Sequence, residues 1–105
     1  MDHDRLESAL ASFAVLEPTH FPLHFAQIFL VVAQNEPCTF QKVMEALDLT
    51  NSAVSRTVMA LGQTSRKGTP GFDLMYVAKD PKEGRRLIIM LTPKGKALYR
   101  QLLSI

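Results

Sequence analysis

The side chains best suited to intermolecular chemistry fall in one stretch, Leu49 to Gly62, which reads LTNSAVSRTVMALG. Val54, Val58 and Leu61 recur at helical spacing and predict a helix face turned to a core. Asn51, Ser52, Ser55 and Arg56 fall on the other side, in the first turns. Thr50 is the expected N-cap, its hydroxyl placed to accept a backbone N–H that the first turn leaves unpaired. The outward face thus offers short hydrogen-bonding groups and one arginine, with no carboxylate. Such groups can read base edges and clamp phosphates. They also suit an ordinary solvated helix face, and this stretch alone leaves both readings open.

Other reactive residue types propose less. His20 and His24 stand four apart across Pro22, and no carboxylate or cysteine beside them completes a ligand set. They read as surface or capping histidines, and neither a metal nor a cofactor is expected. Cys38 is the one cysteine, so no internal disulfide can form. A thiol just ahead of a helix can be acidified into a redox centre, but a lone cysteine is more often a small buried hydrophobe. A phosphate-binding glycine loop, a nucleophile elbow and paired carboxylates are all missing from the sequence, so no enzyme is expected.

The elements that would position the polar stretch can be read in order. One domain is expected over 1–105, with 47% apolar residues to supply a modest core. From Asp4 to Leu16, Leu6, Ala9, Leu10, Phe13 and Leu16 form a helical stripe, which Pro18 ends. This N-terminal region, 1–17, could pack on its own domain or on a second subunit. Pro22 opens a second helix in its first turn. There Phe25, Ile28, Phe29 and Val32, joined by Leu30 and Val31, predict a central buried rod. Thr39 caps a third helix, Phe40 to Leu47, with Phe40, Val43, Met44 and Leu47 inward. Asp48 and Leu49 then turn the chain into the polar helix. Two short helices joined this tightly, over 39–62, fit a helix-turn-helix whose second helix enters a major groove.

Past Gly62 the loop GQTSRKGTPG carries Arg66 and Lys67, which either meet phosphates or are solvated. Phe72–Ala78 and Arg85–Leu91 are strand candidates around KDPKEG, giving a hairpin over 72–91. Lys79, Lys82, Arg85 and Arg86 cluster at its tip, with Asp80 and Glu83 between. A basic hairpin after a helix-turn-helix is a wing. Its arginines could enter a minor groove, although a solvated turn would look the same. Thr92 and Pro93 open a last helix over 92–105, with Ala97, Leu98 and Leu102 apolar.

Charge is divided unevenly along the chain. Residues 1–51 hold two basic and seven acidic residues, a net −5, and residues 52–105 hold ten basic and three acidic, a net +7. A segregated positive half suits a polyanionic partner, or only a soluble surface. The N-terminus has no basic region followed by an apolar stretch, and no apolar run is long enough to span a bilayer. A cytoplasmic protein without a membrane partner is the simplest expectation.

Three stretches resemble the MarR family of winged-helix regulators. SAVSR (Ser52 to Arg56) resembles its recognition-helix segment, DPKEGRR (Asp80 to Arg86) its wing tip, and LTPKG (Leu91 to Gly95) its Leu-Thr-x-x-Gly step into the next helix. The likeness runs from about Phe25 to Leu102. It implies a mainly α fold with a small β-hairpin wing, a winged helix-turn-helix in the α+β class. It further implies a homodimeric regulator that binds double-stranded DNA. By position, Ser52, Ser55 and Arg56 would contact DNA from the recognition helix, with Thr50 and Asn51 beside them. Arg85 or Arg86 would do so from the wing with Lys79 and Lys82, and Thr39 and Gln41 would touch phosphates. The family's N- and C-terminal helices form the dimer interface, which points to Leu6, Leu10, Phe13, Leu98 and Leu102.

The sequence departs from the family in three places. It stops where long C-terminal helices would continue, so dimerisation is expected to rest on the first helix and a short tail, and no small-molecule effector is expected. The loop from Gln63 to Gly71 is longer than the usual link, and Glu83-Gly84 replaces the usual wing-tip residues. The competing reading is a winged-helix module that binds a partner or host protein.

Overall fold

The computed structural model describes residues 2–63 and 70–105. In chain order its elements are α1 (His3–Ala14), α2 (Leu23–Gln34), β1 (Cys38–Thr39), α3 (Phe40–Leu47), α4 (Asn51–Leu61), β2 (Met75–Lys79), β3 (Leu87–Leu91) and α5 (Pro93–Leu103). Five helices and a small antiparallel sheet make a winged helix-turn-helix. Among the described residues, no helix is long and apolar enough to cross a membrane.

Side-chain oxygens start four of the helices. Asp2, Thr39, Thr50 and Thr92 accept from the amides of Arg5, Lys42, Ala53 and Gly95, respectively. Each such cap contributes roughly 0.5–2 kcal/mol. Pro22 stands at the N-cap of α2, one place ahead of the first turn, and gives it no side-chain cap. Asp48 ends α3 in the left-handed region at φ 53°, and the Leu49 amide returns to the Met44 carbonyl at 3.1 Å. That reversal is the turn of the helix-turn-helix, and a short polar residue tolerates it better than a branched one.

The sheet order is β1-β3-β2, so the hairpin expected from sequence has a third strand. Cys38 and Thr39 pair with Ile89 and Ile88 and tie the start of α3 to the wing. The ladder would next put Pro37, which has no N–H, opposite Met90; beyond it the Glu36 carboxylate accepts the Leu91 amide at 3.0 Å. The hairpin strands are shorter than expected. Phe72, Asp73 and Leu74 donate instead to the carbonyls of Ala60, Gly62 and Leu61 at the end of α4. Those carbonyls have no partner inside their own helix, and the detour satisfies them. Arg85 and Arg86 belong to the tip turn rather than to β3.

Ile28, Phe29, Val32, Val43, Val54, Leu61, Leu74, Met75 and Ile89 are fully buried, with α2 running through the centre. Aromatic rings extend this core to the N-terminal region. Phe21 stacks on Phe13 at 5.6 Å and meets Phe25 and Phe72 edge-on at 5.6 and 5.3 Å. At the root of α5, the Thr92 hydroxyl donates to the Asp73 carbonyl and the Thr92 amide to the Leu74 carbonyl. A Cβ on Gly95 would run into that same Leu74 carbonyl, so only glycine fits the last position of the LTPKG motif.

Candidate nucleic-acid interface

Helix α4 is seated by Val54, Val58 and Leu61, all buried, with Thr57 buried beside them. Its opposite face exposes Asn51, Ser52 and Arg56, and Ser55 is half-buried. Exposed Arg56 turns Nε back to the Ser52 carbonyl at 3.3 Å. Thr50 is exposed, its hydroxyl oxygen occupied by the Ala53 amide.

The structure gathers several of these residues with others from distant parts of the chain. Thr39, Phe40 and Gln41 from the start of α3, Asn51 and Ser55 from α4, and Arg86 and Leu87 from the wing line one open cleft of about 350 Å³. A second depression on α4 is lined by Asn51, Ser52, Ser55, Arg56 and Met59. Thr39 caps α3 with its hydroxyl, and Gln41 donates to Glu45 at 2.9 Å.

The wing tip is built on Asp80. Its carboxylate is buried and accepts from Arg86 Nε at 3.0 Å and a terminal Arg86 nitrogen at 2.6 Å, and its other oxygen accepts the Lys82 amide at 2.9 Å. The Asp80 amide in turn donates to the Arg86 carbonyl at 2.8 Å. The Arg86 hydrogen bond, with the Lys82 amide, holds the Asp80 carboxyl below the usual aspartate range. Asp80 conversely raises the Arg86 guanidinium above its ordinary value. Glu83 lies 3.7 Å from Arg86 as well. Arg86 is therefore clasped at the wing tip, its side chain still 53% exposed, and it lines the cleft. Lys79, Lys82 and Arg85 are exposed and form no ion pair among the described residues. In sequence Asp80 reads as an intervening acid, and a motif in which Asp and Arg recur together is the signal that marks it as an organiser.

The residues named for a second subunit divide. Phe13 and Leu98 are buried in the chain's own core, and Leu102 is half-buried. Leu6 and Leu10 remain 51% and 54% exposed, joined by Val15 and Leu103 at 83% and 67%. Helices α1 and α5 touch through Gln101, which donates to the Ser12 hydroxyl at 3.3 Å. Arg66 and Lys67 lie outside the described residues. Cys38 is buried at the sheet, and burial pushes its thiol up, away from the reactive thiolate.

An exposed helix of a tight helix-turn-helix, followed by a three-stranded basic wing, defines the winged-helix class. No family model matches the sequence, and no curated protein matches it either. Among solved structures, the fold is shared with MarR-family regulators, as the three sequence stretches led one to expect. Staphylococcus aureus MepR, in a mutant form bound to an oligodeoxyribonucleotide, is 24% identical over 97% of this chain, with a TM-score of 0.67. S. aureus MarR in complex with salicylate and kanamycin is 21% identical over 90% of it, with a TM-score of 0.63. The PcaV transcriptional regulator of Streptomyces coelicolor, in complex with its natural ligand, is 22% identical over 96%, with a TM-score of 0.63. This chain spans 67%, 57% and 67% of those three chains, respectively.

Proposed function

We propose that the chain is a DNA-binding transcriptional regulator that reads duplex DNA with α4 in the major groove. Lys79, Lys82 and Arg85 of the wing meet the minor groove and its phosphates, and Arg86 faces the backbone from the shared cleft. The observation that carries this reading is the convergence of Thr39, Gln41, Asn51, Ser55 and Arg86 on one concave surface, beside an α4 face without a carboxylate. Direct readout needs polar side chains on a rigid helix, and affinity needs cations that no internal acid has neutralised. Both are present. The oligonucleotide bound to MepR, on a shared fold, supports the same reading.

The functional unit is a homodimer joined at the α1 and α5 end, where Leu6, Leu10, Val15 and Leu103 expose apolar surface. The test is anisotropy with random duplex DNA over a salt series, followed by selection and sequencing of the bound fraction. A steep loss of affinity with salt and an enriched inverted repeat are expected. Weak, salt-insensitive binding without an enriched sequence would overturn the proposal and favour a protein-binding module.

A further inference from the structure

A depression on the flank of α4 lies outside the cleft just described. It is lined by His24 and Phe25 from the first turn of α2 and by Ala53, Arg56 and Thr57 from α4. Its volume is about 180 Å³. Two of its five lining side chains are basic nitrogen donors, none is a carboxylate, and Phe25 and Ala53 give it an apolar floor. The two donors come from helices that the shared core holds together, so their separation does not depend on a loop.

Each donor is oriented and has capacity to spare. The His24 ring stands edge-on to Phe25 at 5.0 Å, with an interplanar angle of 89°. Its ring nitrogens have no hydrogen bond or ion pair among the described residues. Among the described residues, Arg56 uses only Nε. An imidazole carries at least one N–H in either charge state, so it can donate to an anion whether or not it is protonated. Helix α4 presents Asn51, Ser52 and Ser55 outward, so the α2 side of the helix is where a groove-bound helix meets the bordering backbone.

We infer that His24 and Arg56 together seat one phosphate of the DNA backbone on the α2 flank of the reading helix. The inference rests on the DNA-binding reading above and adds a contact from α2, an element to which no binding role has otherwise been given. His24 supplies affinity and register here. It reads no base.

The test compares His24→Glu and His24→Arg with His3→Glu and His3→Arg, which alter charge identically on the far end of α1. Binding to random duplex DNA is followed by anisotropy over a salt series, and thermal melts confirm that each variant folds. Expected for His24→Glu is a loss of about tenfold, and for His24→Arg a gain with a salt slope steeper by about one. The His3 pair should move affinity less than about twofold, since charges beyond a Debye length are screened. If the His24 and His3 variants shift affinity and slope alike while the wild type binds normally, the phosphate seat is wrong and the DNA-binding reading stands. If the wild type shows no salt-dependent binding, both fall together.

Discussion

Helix α4 and the wing tip sit a few side chains apart yet are held in opposite ways. Helix α4 is fixed from beneath by Val54, Val58 and Leu61, and its outer face carries a single cation that no acid among the described residues restrains. At the wing tip, the residues from Pro81 to Arg86 are all exposed. The tip is shaped from within, by the Asp80 carboxylate holding Arg86 and the Lys82 amide. A core-seated helix can hold polar groups to the tolerance that base reading requires, whereas a clasped hairpin can present several charges without a core. In the proposed DNA-binding reading, discrimination would therefore fall to α4, and most of the sequence-independent affinity to the wing.

The largest break comes from unseating the helix. Leu61→Ala should cost about 2–5 kcal/mol of stability, read as a lower urea midpoint, and DNA binding should fail with it. The next tests α4 without unfolding it. Arg56→Ala should weaken binding to the selected sequence by about 1–3 kcal/mol if the arginine reaches a guanine as well as the backbone, and a specific-to-random ratio left unchanged would remove Arg56 from base reading. Arg85→Ala should weaken all sequences evenly and lower the salt slope by about one. Uneven losses among sequences would move discrimination into the wing and dissolve the contrast.

The smallest effect is local and sharpens the difference in how each region is held. Asp80 has a lowered carboxyl pKa in the folded chain, so it stabilises the tip above the ordinary aspartate range. That contribution fades only as acid drives the pH through the lowered value. The Lys82 amide and Arg86 Nε–H resonances should therefore shift together at a pH below the ordinary aspartate range, while those of Val54 to Leu61 stay put. Asp80→Asn should disturb the same two signals at neutral pH.

How far the sequence revealed this molecule depended on the range of the interactions. Helix α3 is found at Phe40–Leu47, as its cap and period predict, because both signals are local. The outward placement of Asn51, Ser52 and Arg56 follows from helical period alone. Strand β1 is two residues long and pairs only with the distant Ile88 and Ile89, so no alternation could announce it. Phe72 to Leu74 look like strand by composition, yet the unpaired carbonyls of α4 claim their amides. The capture of Arg86 by Asp80 depends on turn geometry, and the approach of His24 to Arg56 depends on the packing of α2 against α4.

Asp73 and Leu74 have a wider consequence. Their amides close the end of α4, their carbonyls receive Thr92, and Leu74 abuts Gly95 before the chain enters β2. Three elements thus share one knot of backbone. Whatever shifts α5 must carry the wing root and the tail of α4 in the same stroke. In a paired molecule, the span between two wings would be set like the jaws of a caliper, at the far end where the subunits meet.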